Sequence, residues 1–544
     1  MIMKREWCSL LLIFCFYNGC WAQFSLSRGG VARLDSVLRR DMGKPGVVLA
    51  ISSGNELIYE KAMGLASLEW NTPMTSDAVF EAGSVSKQFT AATVLKLIEQ
   101  KRLSLDDDVR KYVPELPDYG EEITIRHLLT MTSGLRDWRN ITYLMGKATF
   151  ACAYSQSDAL EIICRQRELN FAPGTKYSYS NSNYDLLSII VYRITKEPFV
   201  KFSTREVLDP VGFMHAKWRD NALEVVTKKV DSYRFSEAAN RYFTQDLLER
   251  THGAAGMLVT AADLIKWSNH WASGKFGETL GKLRETRGRL IDGSEIAYAY
   301  GGVRVTNLGR LREVTHSGLV AGYRAWLAYY PEAEVSVACL TNDRSFEIAK
   351  VRNIIGELLT GERLAEPKSL VAMSPSQLAD LRGIYKGVDH FQCFEIKTDG
   401  AVAVIGKDTL GAIAKDTLVS GHTTYILKPE GTIAVHAADE VREYKKVNAY
   451  NPTEKDLKAL EGRYVNDELS LDLELKVKDG KLVAYRKAHD SMTLNPTYED
   501  GHEAGFYTLS NGLRALFAFT RSRDGHMGLT VSIPRAEHFS FTKH

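Results

Sequence analysis

The spacing of apolar residues along the first two thirds of the chain predicts strands at both ends and helices between them. Residues 47–51 are apolar, and residues 53–55 and 56–60 have the composition of a turn and a returning strand. From residue 84 to 100 apolar residues recur at helical spacing. Strands are predicted again at 303–306, 313–316, 323–330 and 335–340. This order predicts an α/β domain over residues 28–362, whose antiparallel sheet gathers both ends of the domain and carries a helical part between them.

After about residue 368 the helical spacing nearly disappears and short alternating runs replace it. The clearest run has apolar residues at every second position: Leu469, Leu471, Leu473, Leu475 and Val477. The dipeptides that two-residue hairpin turns need recur at 399–400, 479–480, 511–512 and 524–525. This last part of the chain is therefore predicted to consist of antiparallel hairpins.

The same region contains a repeat. The order Pro, Leu, Leu, Gly, Tyr occurs twice, at Pro375, Leu378, Leu381, Gly383 and Tyr385, and at Pro452, Leu457, Leu460, Gly462 and Tyr464. An Asp-Gly turn follows each copy at nearly the same distance. Each copy is predicted to be a short helix followed by a small antiparallel β-barrel, over residues 370–448 and 450–544. The alternative is a chance similarity between two leucine-rich segments.

The first 22 residues have the features of a secretory signal peptide. Lys4 and Arg5 precede an apolar run at residues 8–17, and Ala22 offers a small residue for cleavage. The run is too short to anchor the chain across a bilayer. We therefore expect an exported, periplasmic protein without a membrane span. Two alternatives are a buried N-terminal helix and lipidation at Cys20, although Tyr17 is a poor residue for a lipidation site.

Composition and charge narrow the function. The 544 residues carry 69 basic and 67 acidic side chains, so a net charge of +2 gives no basic field for nucleic acid. The 13 histidines and the cysteines after the leader show no metal-ligand spacing, and we expect no metal and no cofactor. A small molecule or a peptide is the expected partner, and the oligomeric state is left open.

The first candidate for chemistry is the segment 84–87, Ser-Val-Ser-Lys. A serine hydroxyl needs a neighbour to take its proton, and a lysine three residues later at the start of a helix lies on the same face. The helix N-terminus directs backbone N–H groups at a developing oxyanion. Alone, this spacing is weak evidence for catalysis, because an N-cap serine followed by a solvated lysine has the same spacing.

Two further segments strengthen the hypothesis. Tyr179 supplies a phenol that can relay a proton, and Asn181 supplies an amide expected to face the same way in an extended loop. A buried tyrosine and a turn asparagine are the alternative for that pair. His316 and Gly318 lie at the end of a predicted strand, where the glycine leaves room for a substrate backbone.

The order S-x-x-K, Y-x-N, H-x-G resembles the serine β-lactamase and penicillin-binding protein superfamily, on its class C side. Residues 125–135 are similar to that family's LLTHTSGL segment except that Met131 replaces a histidine. The resemblance covers roughly residues 30–360. It implies a β-lactamase/transpeptidase-like domain and an acyl-transferring serine hydrolase.

The resemblance also implies a role for each motif residue. Ser84 would attack and form an acyl-enzyme, while Lys87 and Tyr179 would share the base and proton-relay functions. Asn181 would hold the substrate amide. His316 and Gly318 would line the edge strand. The backbone N–H groups of Ser84 and Leu319 would form the oxyanion hole.

One departure from the family bears on the substrate. Many members carry lysine at the position of His316, where its charge holds the substrate carboxylate, whereas histidine is mostly neutral at neutral pH. Weak or absent β-lactamase activity is therefore expected. Members with H-x-G include esterases and D-aminopeptidases, and the latter resemble this chain in carrying two small barrels. The predicted function is hydrolysis of small amides or peptides with D-residues, by a D-aminopeptidase or a DD-peptidase-like enzyme.

Three alternatives accompany this prediction: a broad carboxylesterase, a weak β-lactamase, and a penicillin-binding sensor that is acylated without turnover. In D-aminopeptidases of the superfamily a loop of the last barrel reaches the active site. Residues 499–505 are the candidate here, since Glu499, Asp500 and Glu503 could meet a substrate ammonium group. An exposed hairpin loop is the competing interpretation and the better supported one.

Overall fold

The computed structural model describes residues 24–363 except 42, 150 and 222, and residues 371–544 except 401, 407, 422, 438–439, 488–489, 502, 511–512 and 522–526. The predicted signal peptide and two of the four predicted turn dipeptides lie outside these ranges. Within the described residues, no helix is long and apolar enough to cross a membrane.

The first domain is built on an eight-stranded antiparallel sheet with the order β10-β11-β12-β13-β14-β15-β1-β2. The last strand of the domain, β15, therefore pairs with the first, β1, as predicted from the strands at both ends of the domain. The strands of this domain are β1 (Val47–Ser53), β2 (Glu56–Met63), β3 (Leu65–Ser67), β4 (Thr72–Pro73), β5 (Phe80–Glu81), β6 (Lys217–Trp218), β7 (Tyr233–Ser236), β8 (Arg241–Thr244), β9 (Met257–Val259), β10 (Arg287–Arg289), β11 (Glu295–Ala299), β12 (Arg304–Leu308), β13 (Leu311–Val320), β14 (Tyr323–Tyr330) and β15 (Val335–Thr341).

Helices cover both faces of this sheet. They are α1 (Arg28–Leu38), α2 (Lys87–Glu99), α3 (Ile125–Leu129), α4 (Trp138–Leu144), α5 (Gln156–Cys164), α6 (Asn181–Thr195), α7 (Phe199–Ser203), α8 (Asp209–Val211), α9 (Ala261–Ala272), α10 (Glu278–Glu285) and α11 (Ile348–Thr360). Short 3-10 turns occupy Gly83–Ser86, Val109–Lys111 and Pro331–Ala333, and a π-helical turn occupies Thr204–Leu208.

Strand β1, which lies next to the edge strand β2, shows how the layers form. All seven of its residues are buried. Val47, Leu49 and Ile51 pack with α1 and α11, while Val48 and Ala50 belong to the larger core on the opposite face. Because successive side chains of a strand point to opposite faces, a continuous apolar run requires cover on both.

The rest of the chain forms two closed antiparallel barrels. Barrel 1 follows α12 (Pro375–Leu381) and contains β16 (Gly383–Gly387), β17 (Cys393–Asp399), β18 (Val402–Ile405), β19 (Asp408–Ala414), β20 (Thr417–Ser420), β21 (Thr423–Leu427), β22 (Thr432–Ala437) and β23 (Glu440–Ala449). These eight strands pair in chain order, and the pairing of β16 with β23 closes the barrel.

Barrel 2 follows α13 (Glu454–Ala459) and contains β24 (Gly462–Asn466), β25 (Leu471–Lys478), β26 (Lys481–Lys487), β27 (Asp490–Asp500), β28 (Glu503–Ser510), β29 (Leu513–Arg521), β30 (Met527–Ile533) and β31 (Ala536–Lys543). The pairing of β24 with β31 closes it. The predicted alternation is observed, since Leu471, Leu473 and Leu475 point inward along β25. The predicted fold class is thus confirmed.

Candidate active site

Ser84 lies in the 3-10 turn Gly83–Ser86, which leads directly into α2. The predicted helix start is therefore displaced, because the α-helix begins at Lys87 itself. Gly83 has a φ of +53°, and a Cβ there would lie 2.9 Å from the backbone nitrogen of Leu319. Glycine is required at this position because its backbone adopts the left-handed conformation and because strand β13 passes against it.

Lys87 is fully buried beside the nucleophile. Its Nζ lies 2.8 Å from the carbonyl oxygen of Ala254, 2.9 Å from Oδ1 of Asn181 and 3.2 Å from Oγ of Ser84. Burial, followed by the charge of Arg139, lowers the pKa of Lys87 well below its ordinary value, against the opposing effect of nearby aspartates. This shift favours the unprotonated amine, which is the form that can accept a proton.

A neutral amine has two N–H donors and one lone pair. A carbonyl oxygen cannot donate, so the contact with Ala254 consumes one N–H of Lys87. The side-chain amide nitrogen of Asn181 donates to Asp137, which turns its Oδ1 toward Lys87 and consumes the second N–H. The lone pair of Lys87 is left for the third neighbour, the hydroxyl of Ser84.

Tyr179 contacts the nucleophile as well. Its hydroxyl donates a hydrogen bond of 2.7 Å to Oγ of Ser84. Burial raises the pKa of Tyr179 to about 12, so the phenol is protonated at neutral pH. Ser84 thus has a proton acceptor in Lys87 and a proton donor in Tyr179.

Asn181 is not in an extended loop, and that expectation is wrong. It is the first residue of α6, and its backbone nitrogen and its side-chain nitrogen both donate to Oδ2 of Asp137, at 2.9 and 2.8 Å. The first turn of a helix leaves backbone N–H groups without intrahelical partners, and a carboxylate satisfies them well. Asp137 also accepts at Oδ1 from the first turn of α4. Asp137 therefore fixes Asn181 against Lys87.

His316 lies in the cavity wall but carries no charge. Its Nδ1 lies 2.7 Å from the carbonyl oxygen of Ser317, so this nitrogen carries the proton, and its Nε2 accepts from the hydroxyl of Tyr298 at 3.1 Å. Burial lowers the pKa of His316 to about 3. The strand position that is cationic in many members of the superfamily is neutral in this protein.

Gly318 lets strand β13 approach the nucleophile turn. A Cβ at this position would lie 2.0 Å from the carbonyl oxygen of Ala82 and 3.2 Å from the backbone nitrogen of Ser84. Any other residue would push β13 away from Ser84. This close approach supports the predicted oxyanion hole at the backbone N–H groups of Ser84 and Leu319.

A cavity of about 440 Å³ opens above Ser84. Five of the seven predicted site residues line it: Ser84, Tyr179, Asn181, His316 and Leu319. Lys87 and Gly318 do not line the cavity, but each contacts a residue that does. Within the described ranges, no three His, Cys, Asp or Glu side chains cluster in a way that could hold a metal ion.

The described residues of the segment 499–505 do not line this cavity. Asp500 pairs with Lys445 at 2.7 Å, Glu503 pairs with Lys386 at 2.6 Å, and Glu499 faces Asn448 across paired strands. All three therefore lie against barrel 1, whose lysines pair with Asp500 and Glu503. The suggestion that they meet a substrate ammonium group is wrong.

Another turn of barrel 2 does reach the cavity. Arg535 lies between β30 and β31 and lines the cavity, with its guanidinium carbon 4.6 Å from the centroid of the Tyr179 ring. The residues predicted for the site did not include Arg535, Asp137 or Tyr298. Their roles depend on contacts between distant segments, and no local spacing marks them.

These features define a class of enzyme, the serine hydrolases in which a buried lysine one turn after the serine acts on its hydroxyl. The chain belongs to the Beta-lactamase family, whose model matches residues 34–358. A D-aminopeptidase from Brucella anthropi is 26% identical over 484 residues, covering 87% of this chain and 88% of the relative.

Solved structures agree on the fold. The octameric penicillin-binding protein homologue from Pyrococcus abyssi superposes with a TM-score of 0.54 at 19% identity, over 94% of this chain and 97% of that one. The D-amino acid amidase from Ochrobactrum anthropi SV3, in its L-phenylalanine amide complex, gives a TM-score of 0.52 at 19% identity, over 61% and 97%. The chain is thus a hydrolytic enzyme of this family.

Proposed function

We propose that this enzyme hydrolyses small amides or peptides containing D-residues through an acyl-enzyme on Ser84. The observation that carries the proposal is the pair of contacts at Oγ of Ser84, with Lys87 at 3.2 Å and Tyr179 at 2.7 Å. A nucleophile between an unprotonated amine and a protonated phenol is prepared both to lose its proton and to supply one to a leaving group.

Acylation follows from this arrangement. As Oγ of Ser84 bonds to the substrate carbonyl carbon, its proton passes to the lone pair of Lys87. The negative charge that develops on the carbonyl oxygen is held by the backbone N–H groups of Ser84 and Leu319. Tyr179 then gives its proton to the leaving nitrogen as the C–N bond breaks. The site now holds an ester at Ser84, an ammonium at Lys87 and a phenolate at Tyr179.

Deacylation returns the site to its starting state. A water molecule attacks the ester carbonyl and gives its proton to the phenolate of Tyr179. When the C–O bond to Ser84 breaks, Oγ recovers its proton from the ammonium of Lys87. One water is consumed, and both side chains end in their original protonation states.

The assignment to D-residues is supported by two relatives. The Brucella anthropi protein is a D-aminopeptidase that is similar along most of the chain, and the superposed Ochrobactrum anthropi enzyme is a D-amino acid amidase. Such enzymes differ in whether the substrate presents a free amino group, a free carboxylate or an amide. The stereochemistry of the acyl residue is the shared element that we transfer to this chain.

The test compares D- and L-isomers of alanine p-nitroanilide and N-acetyl-alanyl-alanine. We expect cleavage of at least one D-substrate, with the L-isomer ignored, and complete loss in Ser84→Ala. Ser273→Ala is the matched control, because Ser273 is an exposed serine at the end of α9 and should keep full activity. Full activity in Ser84→Ala, or equal cleavage of both isomers, would contradict the proposal.

The same samples separate the alternatives. Cleavage of p-nitrophenyl esters far faster than of any D-amide would favour a carboxylesterase. A penicillin adduct that persists in the intact mass while no substrate turns over would favour a sensor. Neither outcome is expected, because Lys87 and Tyr179 provide the proton transfers of deacylation as well as those of acylation.

We also propose that the enzyme acts outside the cytoplasm, as the leader-like residues 1–22 suggest. Cell fractionation followed by N-terminal sequencing tests this. We expect an exported protein that begins after residue 22, and an uncleaved cytoplasmic chain would contradict the proposal.

A further inference from the structure

The cavity above Ser84 has an excess of positive charge. Its charged lining residues are Glu249, Arg139, Arg304, Arg344 and Arg535. Glu249 is buried and already binds Arg139 through both of its carboxylate oxygens. The described lining therefore contains more arginine side chains than carboxylates, and the low pKa of His316, about 3, leaves that side chain uncharged.

This balance disfavours a substrate with a free amino group. Among the described residues that line the cavity, Glu249 is the only carboxylate, and Arg139 neutralises it. An ammonium group would enter a positive field without a carboxylate to receive it, whereas a carboxylate would be attracted. The charge of the cavity therefore differs from what removal of an N-terminal D-residue requires.

Arg535 is an arginine of the cavity wall that contacts a proposed catalytic side chain. Its guanidinium lies over the ring of Tyr179, whose hydroxyl contacts the nucleophile. The side chain is exposed to the solvent of the cavity, and among the described residues it forms no salt bridge. It is therefore available to a substrate group that lies beside Tyr179.

The position of Arg535 is fixed by its backbone. Its carbonyl oxygen accepts hydrogen bonds from the backbone nitrogen of Asp137 at 2.9 Å and from Nδ2 of Asn170 at 3.0 Å. Asn140 donates to the adjacent carbonyl of Pro534. Asp137 is the residue that also fixes Asn181, so one segment of the catalytic domain holds both the asparagine and the turn that carries Arg535.

We infer that Arg535 binds a free carboxylate of the substrate and so supplies from barrel 2 the charge that the neutral His316 does not provide. A guanidinium is planar and presents paired donors that match a carboxylate. The substrate class that follows is a peptide ending in a D-residue with a free α-carboxylate, cleaved on the carboxyl side of the acyl residue. This inference rests on the proposed function. It favours the DD-peptidase-like form over the D-aminopeptidase form.

Binding tests the inference separately from turnover. The full-length Ser84→Ala variant is titrated with N-acetyl-D-alanyl-D-alanine and with its C-terminal carboxamide, by calorimetry at low salt. We expect the acid to bind more tightly on the order of tenfold, as for an accessible charge-assisted hydrogen bond, with the ratio falling as salt is added. Equal affinities for the acid and the amide would overturn the inference, as would undetectable binding of the acid at millimolar concentration.

Two substitutions in the same background assign the preference to Arg535. Arg535→Gln should bring the affinity ratio of acid to amide close to one while leaving amide affinity unchanged, which also shows that the variant is folded. Arg535→Lys should keep part of the preference. Arg514→Gln is the matched control, because Arg514 is exposed on β29 of the same barrel and does not line the cavity.

A preference that survives in Arg535→Gln would overturn the assignment to Arg535. Failure of the proposed function has a different signature, namely turnover of D-peptides that does not need Ser84. The binding ratio and the Ser84 dependence are measured on separate samples, so either can fail while the other holds.

Discussion

The two barrels share a repeat and a topology, yet they stand in different relations to the active site. Barrel 1 has its own core of residues such as Leu410 and Leu418. The core of barrel 2 continues into the catalytic domain, because Ile141 and Leu144 of α4 are part of it. α4 contacts β29, β30 and β31, and the turn between β30 and β31 carries Arg535 into the cavity.

Two barrels with the same topology can therefore differ in their relation to the active site through a single turn. Barrel 1 meets the catalytic domain through the exposed pair Lys176–Asp389, and meets barrel 2 through the pairing of β23 with β27. Barrel 2 is instead anchored by the buried Arg136, which donates to Glu468 and to the carbonyl of His538. Among the residues that the structure describes, barrel 2 contributes to the wall of the active site and barrel 1 does not.

The largest expected effect is at the segment that joins barrel 2 to the catalytic residues. Asp137→Ala removes the acceptor that fixes Asn181, so we expect kcat to fall about 100-fold through misplacement of the groups around Lys87. Asp389→Asn, at the junction with barrel 1, should leave kcat unchanged. Steady-state turnover of the D-peptide measures both, and equal losses would remove the distinction between the two junctions.

A pair of core truncations compares the effects of the two barrels on catalysis. Leu144→Ala and Leu410→Ala both remove a buried leucine side chain, and each should lower the stability of its own region by about 3 kcal/mol. Hydrogen exchange locates the loss in barrel 2 for the first variant and in barrel 1 for the second. We expect kcat to fall in Leu144→Ala alone. A comparable fall in Leu410→Ala would show that barrel 1 also shapes the site.

The two ion pairs to the catalytic domain should differ in strength. Arg136 has no exposed side-chain surface, and Glu468 is 11% exposed, whereas Lys176 and Asp389 are 47% and 54% exposed. Glu468→Gln leaves a buried guanidinium poorly paired and should cost about 2 kcal/mol. Asp389→Asn should cost less than about 1 kcal/mol. Denaturant unfolding measures both, and a larger effect from Asp389→Asn would contradict the anchoring role of barrel 2.

The smallest expected effect is that of pH on the preference for a carboxylate. If a protonated His316 held the substrate, the preference would be present below its pKa and lost above it. Because burial lowers the pKa of His316 to about 3 and a guanidinium does not titrate near neutral pH, the affinity ratio of acid to amide should be constant from about pH 5 to 8. A decline of the ratio across this range would return the role to His316.

Local sequence patterns were sufficient for most of the fold and for the proximity of Ser84 and Lys87. The hairpin at residues 47–60, the sheet built from both ends of the domain and the barrel strands follow from hydrophobic spacing and turn dipeptides. Ser84 and Lys87 are three residues apart on one turn, so their contact depends on local geometry alone. Gly318 was predicted to leave room for a substrate backbone, whereas the structure shows that it allows β13 to approach the backbone of Ala82 and Ser84.

The remaining features depend on how distant segments meet. Asn181 was placed in a loop although serine is a common residue before a helix. The side chain of Ser180 forms no capping hydrogen bond, and the capping carboxylate comes from Asp137, 44 residues away. Glu499, Asp500 and Glu503 were candidates for the active site on charge alone. The docking of the two barrels instead pairs Asp500 with Lys445 and Glu503 with Lys386. Arg535 has no local signal, since its role depends on the packing of β29, β30 and β31 against α4.

The most direct test of the account is the identification of the acylated residue. The protein is mixed with the p-nitrophenyl ester of N-acetyl-D-alanine, quenched within one turnover and digested for peptide mass analysis. We predict a single added N-acetyl-D-alanyl group on Ser84. This group should be absent in Ser84→Ala and should form much more slowly in Lys87→Met. An acyl group on any other residue, or turnover without an adduct in wild type and in Ser84→Ala alike, would contradict it.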